Sequence, residues 1–250
     1  MARLDLSRTA LELDDAEFAA VGALLTGSGA APKAAVEELE RAGVLVDGRL
    51  EGYAARMMAV IAAPQLRLMI ERFAAGPPQY GPFAAVRDEF GVWAEKTREG
   101  TTEFTPVEPS LVPWAVAKAV GLGPRAESDF EGTLELRASA LQLALDRLAE
   151  MDGESAAREL ELATDLEEIE RKLLCSVLLE RRLSWRAFST SGDSLVASVA
   201  VIDGGESGLW LSEHLDPESA DPLVVLTPTT SGDVWERIVA LVPVPVPSDG

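Results

Sequence analysis

The chain has 250 residues, enough to bury one large core or two modest ones, and its 42 acidic against 22 basic residues give a formal charge of -20 at pH 7. This acidity argues against a nucleic acid or an anionic membrane surface as partner, because both require clustered Lys and Arg. The single cysteine, Cys175, excludes an intramolecular disulfide, and no segment has the roughly 18 uninterrupted apolar residues of a membrane span, so no membrane insertion is expected.

The first elements of the chain are helices, marked by their start and stop signals. After a short alternating stretch, Ala10–Leu13, Asp14 and Glu17 have the spacing of a capping box, in which each side chain binds the other residue's backbone N–H. In the sequence that follows, glycine residues mark the ends of helices and a proline marks the start of one. Three helices are predicted in this part, over residues 14–27, 32–42 and 50–63.

From Leu66 onward the spacing of the apolar residues changes from that of a helix to that of a strand. Leu66, Leu68 and Ile70 occupy every second position, as in a half-buried strand. Further strands are predicted near 80–87, 90–96 and 101–106, followed by a closing helix near 109–121. Four short strands with tight connections indicate an antiparallel meander, since parallel strands need long crossovers.

The same order of patterns returns from Gly132 onward. Positions 169, 173, 174 and 177 carry Ile, Leu, Leu and Val, and they match Tyr53, Met57, Met58 and Ile61 at one constant offset. In the next segment Leu183, Trp185 and Ala187 match Leu66, Leu68 and Ile70, and the same offset relates Trp210 to Trp93. A shared offset across successive segments indicates an internal duplication.

The predicted fold is therefore an internally duplicated α+β protein. Each half has helices, a four-stranded antiparallel meander and a closing helix, and the halves join about a quasi-two-fold axis into one body. Such joining covers the exposed edge and apolar face that a lone meander would leave. The boundaries are 1–122 for the first repeat, 123–130 for the joint, 131–242 for the second repeat and 243–250 for an extended tail.

Segments that match between the halves are expected to form the scaffold, and segments without a match are candidates for function. Tryptophans recur at matched places, including Trp114 and Trp235 on the closing helices, and are expected to anchor the core. Two segments have no counterpart: Val44–Gly48, which reads as a small wing or turn, and the polar stretch His214–Pro222, which reads as a surface loop. A difference in function between the halves is expected in these unmatched segments.

The sequence is poor in catalytic chemistry. His214 is the sole histidine, it lies in the predicted polar loop, and no Gly-x-Ser-x-Gly nucleophile motif is present. The acidic runs at 37–40 and 165–168 fit the solvated faces and starts of helices. No catalytic residue, metal site or cofactor is therefore assigned. Three functions stay open: a binding protein, a regulatory module on the same scaffold, and an enzyme that uses carboxylates alone.

A family resemblance enters through two segments. The run Ala35–Gly48 contains a helix, a glycine and a short Asp-Gly turn, and a further helix leads to Ala63, Pro64 and the strand that begins at Leu66. This order resembles the N-terminal half of the EspG family of type VII (ESX) secretion-associated proteins. The tandem halves also resemble that family, whose fold is a single body with quasi-two-fold symmetry.

The resemblance implies a cytoplasmic chaperone that is not an enzyme. Its partners would be secreted helical proteins, whose helical-hairpin tip it binds so that they stay soluble for export. In that family, contacts come from the loop between the second and third strands and from a C-terminal helical bundle. The corresponding turn here is short and consists of Arg87, Asp88, Glu89 and Phe90. These residues, together with His214 of the unmatched loop, are the predicted partner-binding residues; the sequence assigns no oligomeric state.

Overall fold

The computed structural model describes residues 2–5, 7–27, 31–73, 78–98, 100–149 and 153–243, and these form thirteen strands and eight helices. The strands are β1 (Arg3–Asp5), β2 (Ala10–Asp14), β3 (Leu45–Val46), β4 (Arg49–Leu50), β5 (Leu66–Phe73), β6 (Gln79–Arg87), β7 (Phe90–Arg98), β8 (Thr101–Val107), β9 (Leu134–Arg137), β10 (Leu183–Ser191), β11 (Ser194–Asp203), β12 (Leu209–Leu215) and β13 (Leu223–Thr229). The helices are α1 (Asp15–Thr26), α2 (Lys33–Arg41), α3 (Gly52–Ala62), α4 (Val112–Ala119), α5 (Ala138–Ala149), α6 (Gly153–Ala163), α7 (Glu168–Leu179) and α8 (Ser231–Ala240).

Eleven of the strands form one sheet, in the order β1-β2-β8-β7-β6-β5-β10-β11-β12-β13-β9, with every neighbouring pair antiparallel. The central pair is β5 and β10, which align from Arg67 opposite Thr190 to Phe73 opposite Ser184. The remaining strands, β3 and β4, form a small hairpin at the predicted wing. Helices and a large antiparallel sheet agree with the predicted α+β class.

Local sequence signals place the helices where the pattern predicted them. In α1, the Asp14 carboxylate accepts a hydrogen bond from the Glu17 N–H at 2.8 Å, and the Asp14 N–H donates to the Glu17 carboxylate at 2.8 Å. The helix ends at Gly27, whose φ of +65° is a left-handed conformation that glycine adopts without steric cost. The predicted capping box is confirmed.

The helices cover both faces of the sheet, because successive strand residues point to opposite sides. On one face, Ala84 and Val86 of β6 pack in a cluster with α4 and α8. On the other face, Phe83 and Ala85 pack with α1, α2 and α3. Over the strands beyond β10, α5, α6 and α7 form a third cluster around Trp210.

Two ion pairs fasten the centre of the molecule. At the β5–β10 junction, the Arg186 guanidinium donates to the Glu71 carboxylate at 2.6 and 2.9 Å, and Glu71 is only 5% exposed. In the segment that follows α4, Arg125 donates to both carboxylate oxygens of the buried Asp203, with a shortest distance of 2.7 Å. The predicted joint is thus tied to the end of β11 by a bidentate contact.

The structure corrects the position of His214. It was predicted in a surface loop, but β12 continues through Leu215, and His214 pairs there with Val224 of β13. The loop is confined to residues 216–222, because cross-strand pairing extends to Leu215 opposite Leu223. The polar composition that indicated a loop reflects an exposed strand end.

Another side chain differs from the prediction. Trp114 is 63% exposed, because α4 packs on the sheet through Val112 and Val116 while Trp114 lies against Trp235 of α8, with ring centroids 4.4 Å apart. The prediction that it anchors the core was wrong. Cys175, the single cysteine, is half-buried, and its burial raises the pKa of the thiol. The tail predicted over 243–250 lies outside the described residues apart from Pro243.

Candidate functional site

The turn between β6 and β7 is held in one conformation by a neighbouring side chain. Asp88 has a φ of +54°, a left-handed conformation that aspartate tolerates better than most residues. The Gln65 amide group donates to the Asp88 carboxylate at 2.9 Å and accepts from the Asp88 N–H at 2.9 Å. The Gln65 N–H also donates to the Val86 carbonyl at 2.9 Å, so the turn is fixed to the start of β5.

An arginine from α3 completes the surface beside this turn. The Arg56 guanidinium lies over the Phe90 ring, 4.1 Å from its centroid, in the geometry of a cation–π contact. Arg56 itself is exposed, whereas Phe90 is half-buried against the core of the first helices. The ring thus has one edge in the core and one face under a solvent-accessible cation.

Between α3 and the turn lies a shallow concavity of about 630 Å³. It is lined by Arg56, Ala59, Val60, Arg87, Asp88, Glu89 and Phe90. Two guanidinium groups and two carboxylates surround one aromatic ring, which is a surface suited to a partner with both polar and apolar groups. Within the described ranges, no three or more His, Cys, Asp or Glu side chains are placed together to hold a metal ion.

The structure brings Arg87, Asp88, Glu89 and Phe90 together in this turn, but it does not bring His214 to them. His214 lies on β12, and three strands, β11, β10 and β5, separate β12 from β6. It lines a cavity beneath α5 instead. There, burial and the nearby Arg186 guanidinium lower the pKa of the His214 imidazole.

A second exposed surface lies on the helices α6 and α7. Leu162, Ile169 and Leu179 are 78%, 73% and 60% exposed, although each is a large apolar side chain. Leu162 and Ile169 lie on either side of the connection between the two helices. Leu179 lies at the opposite end of α7, so the exposed apolar side chains are spread along the two helices.

A sequence profile of the EspG family matches residues 3–240. The chain belongs to the EspG family. The match covers both halves, which confirms the resemblance seen in the sequence. No curated protein sequence gives a significant match to this EspG-family protein.

A solved structure has a similar fold. It is that of the Mycobacterium tuberculosis type VII secretion system chaperone EspG5 in complex with the PE25–PPE41 dimer. The two chains are 14% identical, the similarity covers 93% of this chain and 95% of that chain, and the TM-score is 0.59. Among the residues that the structure describes, no helix has the length and apolar character needed to cross a membrane.

Sequence reasoning found the turn of this EspG-family protein but missed the residues that support it. Arg56 and Phe90 are 34 positions apart, and Gln65 and Asp88 are separated by 23. The predicted antiparallel strands 66–70 and 80–87 place Gln65 near the turn, so the Gln65 contact had a detectable signal. The packing of α3 on the sheet, which positions Arg56, had none.

Proposed function

We propose that this EspG-family protein is a chaperone of a type VII-like secretion system, which binds a secreted helical protein and keeps it soluble for export. The observation that carries the proposal is the family match over residues 3–240. The similar fold of EspG5, solved in complex with the PE25–PPE41 dimer, supports it. We propose a cytoplasmic location and no enzymatic activity, since the task is binding.

The proposed contact surface has two parts. One is the turn Arg87–Phe90 with Arg56, and the other is the helical bundle α5–α7 with its exposed leucines and isoleucine. The turn has only two residues between paired Arg87 and Phe90, and Gln65 clamps it. It would therefore act as a rigid contact, which costs little conformational entropy on binding. His214 would be a separate contact at the edge of the bundle.

We further propose that the body arose by duplication, with the boundaries 1–122, 123–130 and 131–242. The strand order supports this: outward from the β5–β10 pair, the sequence β5-β6-β7-β8-β2 on one side parallels β10-β11-β12-β13-β9 on the other. A quasi-two-fold axis would pass between β5 and β10. Each proposed repeat would then be a meander completed by a strand that precedes its own helices.

The test is co-purification with helical secreted proteins encoded beside the gene. The protein and each pair of such proteins are co-expressed, and the complex is isolated by an affinity tag on the secreted partner. We expect a stable complex with at least one pair, and the Glu89→Lys variant should weaken it at least tenfold, because Glu89 is exposed in the concavity. Absence of a complex with every pair would overturn the proposal.

A matched control variant distinguishes the effect of the turn from the effect of the protein's overall negative charge. Glu218 is also an exposed acid in a turn, but it lies beyond β12, so Glu218→Lys changes the charge equally without altering the concavity. We expect Glu218→Lys to bind like the original protein. Equal weakening by both variants would show that net charge, and not the turn, drives association.

A further inference from the structure

The sheet opens between β11 and β12. Although β11 spans Ser194–Asp203, it pairs with β12 only at Val201, Ile202 and Asp203. Residues 194–200 of β11, apart from Val196 at a bulge in the pairing with β10, and residues 212–215 of β12 therefore have a strand partner on one side only, within the described part of the chain. Backbone N–H and C=O groups of β11 that face this opening are available to another strand.

A cavity of about 210 Å³ lies at the opening, between α5 and the sheet. Its walls include Leu141 and Leu145 of α5, Ala200 and Ile202 of β11, and Ser212 and His214 of β12. A cavity of about 150 Å³ with apolar walls accommodates benzene. This one has room for a large aliphatic or aromatic side chain.

A polar group at the cavity has no partner among the residues that the structure describes. Ser184 of β10 lines the cavity and is 6% exposed, and its hydroxyl group makes no hydrogen bond to any of them. A buried hydroxyl without a partner costs free energy, so native structures nearly always satisfy it. The neighbouring Arg186 is engaged by Glu71, so the cavity contains a free hydroxyl and no uncompensated arginine.

The first half of the molecule shows why the cavity exists. There the Phe18 ring of α1, although 39% exposed, stacks on Phe104 of β8, with centroids 5.4 Å apart, and so covers part of the sheet beside the helix. At the places that match Phe18 and Phe104, the second half has Leu141 and Leu226, which are smaller. In β6 the corresponding open edge contains Pro82, which has no N–H to donate.

We propose that the β11–β12 opening binds an extended segment of a partner polypeptide, which adds a strand to the edge of residues 194–200 and inserts one large uncharged side chain beneath α5. Strand addition supplies affinity through the backbone, and the cavity supplies selectivity through the inserted side chain. A polar group beside that side chain would satisfy Ser184. This site goes beyond the proposed function: it is separate from the turn Arg87–Phe90, although α5 and His214 also belong to the second part of the proposed contact surface.

Other occupants are less suited to the opening. The chain's own residues 244–250 include Pro245 and Pro247, which have no N–H, so this segment could donate to a strand ladder along only one of its two edges. A second copy would have to approach with its own edge strand, and both copies carry a formal charge of -20. Both alternatives are outcomes of the experiment below.

The experiment selects peptides from a displayed library of random dodecapeptides on the full-length protein. The best peptide is then measured against two variants of α5. Leu141→Phe adds an aromatic ring to the wall of the cavity, at the position that matches Phe18, and Leu143→Phe adds the same atoms at a partly exposed position of the same helix. We expect Leu141→Phe to weaken binding at least tenfold, Leu143→Phe to leave it within about twofold, and both variants to remain folded with unchanged or raised Tm.

Strand pairing is tested with two N-methylated forms of the same peptide. One carries methyl groups on alternate amides and the other on the remaining amides, so only one form blocks the edge that faces β11. We expect one form to lose binding and the other to keep it. Peptide binding should also slow amide hydrogen exchange within residues 194–200.

Three results would overturn the proposal. In the first, the library gives no peptide whose binding is weakened by Leu141→Phe. In the second, the two methylated forms bind equally well or equally poorly. In the third, the protein dimerises as its concentration rises and Leu141→Phe abolishes the dimer, which would identify a second copy as the occupant. Deletion of residues 244–250 should leave peptide affinity unchanged; a rise would identify that segment as a competing occupant. Since Glu89→Lys leaves the opening intact, its peptide binding should persist, which separates this proposal from the proposed function.

Discussion

The pKa of the His214 side chain is set by the groups that surround it. It is a base on the exposed end of β12, yet its imidazole lines the cavity beneath α5 and is close enough to Arg186 to be influenced by that positive charge. Partial burial and the guanidinium both disfavour the imidazolium form, so the pKa lies below its ordinary value of 6.5. The folded protein therefore favours neutral His214 more strongly than the unfolded chain does.

His214 is therefore predicted to make the free energy of unfolding depend on pH. Well above pH 6.5 the imidazole is neutral in both states and contributes no pH dependence. As the pH falls below that value, the unfolded chain takes up the proton first, so the contribution of His214 becomes unfavourable until the folded state also titrates. Denaturant unfolding of the protein and of His214→Gln between pH 5 and 8 should show the variant gaining relative stability as the pH falls, and a flat difference would contradict the assignment.

At the scale of elements, the buried pair Arg125–Asp203 ties the segment after α4 to the end of β11. Asp203 also accepts a hydrogen bond from the Gly205 N–H at 3.2 Å, so it serves both the joint and the turn that leads to β12. Asp203→Ala would leave the largely buried Arg125 guanidinium without its carboxylate. We expect a loss of about 3–5 kcal/mol in the free energy of unfolding, measured by urea denaturation.

The exposed pair Arg237–Glu213, at 3.0 Å, provides the matched control. Glu213→Ala removes an ion pair of similar length, but solvent screens it, so we expect a loss of about 0–1 kcal/mol. The double variant Arg125→Met/Asp203→Leu should recover part of the loss of Asp203→Ala, because it leaves no buried charge unpaired. Equal losses in Asp203→Ala and Glu213→Ala would show that the joint is not held by this pair.

Elements also show where sequence reasoning worked. Capping and strand alternation depend on residues within a few positions of one another, so the Asp14–Glu17 box and β5 through β8 could be predicted closely. The Arg125–Asp203 pair joins residues 78 positions apart, and the pairing of β2 with β8 joins Leu11 to Phe104. Such contacts depend on how the helices and strands pack on one another, as does the exposure of Trp114. Local sequence patterns therefore do not predict them.

In the candidate site, too, the local features could be predicted from the sequence and the others could not. The turn Arg87–Phe90 is a local feature between two predicted strands, and its sequence placed it correctly. His214 was placed in a loop because the stretch His214–Pro222 is polar and contains prolines, whereas the strand continues to Leu215 through backbone pairing with β13. The partner-binding role of these residues stays a prediction.

For the whole molecule, the decisive feature is the junction of β5 and β10. It joins the strands of the two proposed repeats without a gap in the sheet, and the Glu71–Arg186 pair lies on it. On one face, a single core cluster contains Leu68, Ile70 and Val116 from the first part together with Trp185 and Ile238 from the second. Neither part can lose its structure without exposing apolar surface of the other.

We therefore expect unfolding in one cooperative transition, with a calorimetric enthalpy about equal to the van't Hoff enthalpy. Two independently unfolding repeats would give a ratio of about two or two resolved peaks. The Asp203→Ala variant sharpens the test, because the pair that it breaks lies at the joint and in the second repeat. In a coupled body it lowers the midpoint of the whole transition, whereas in uncoupled repeats only the second half would melt earlier and the peak would split.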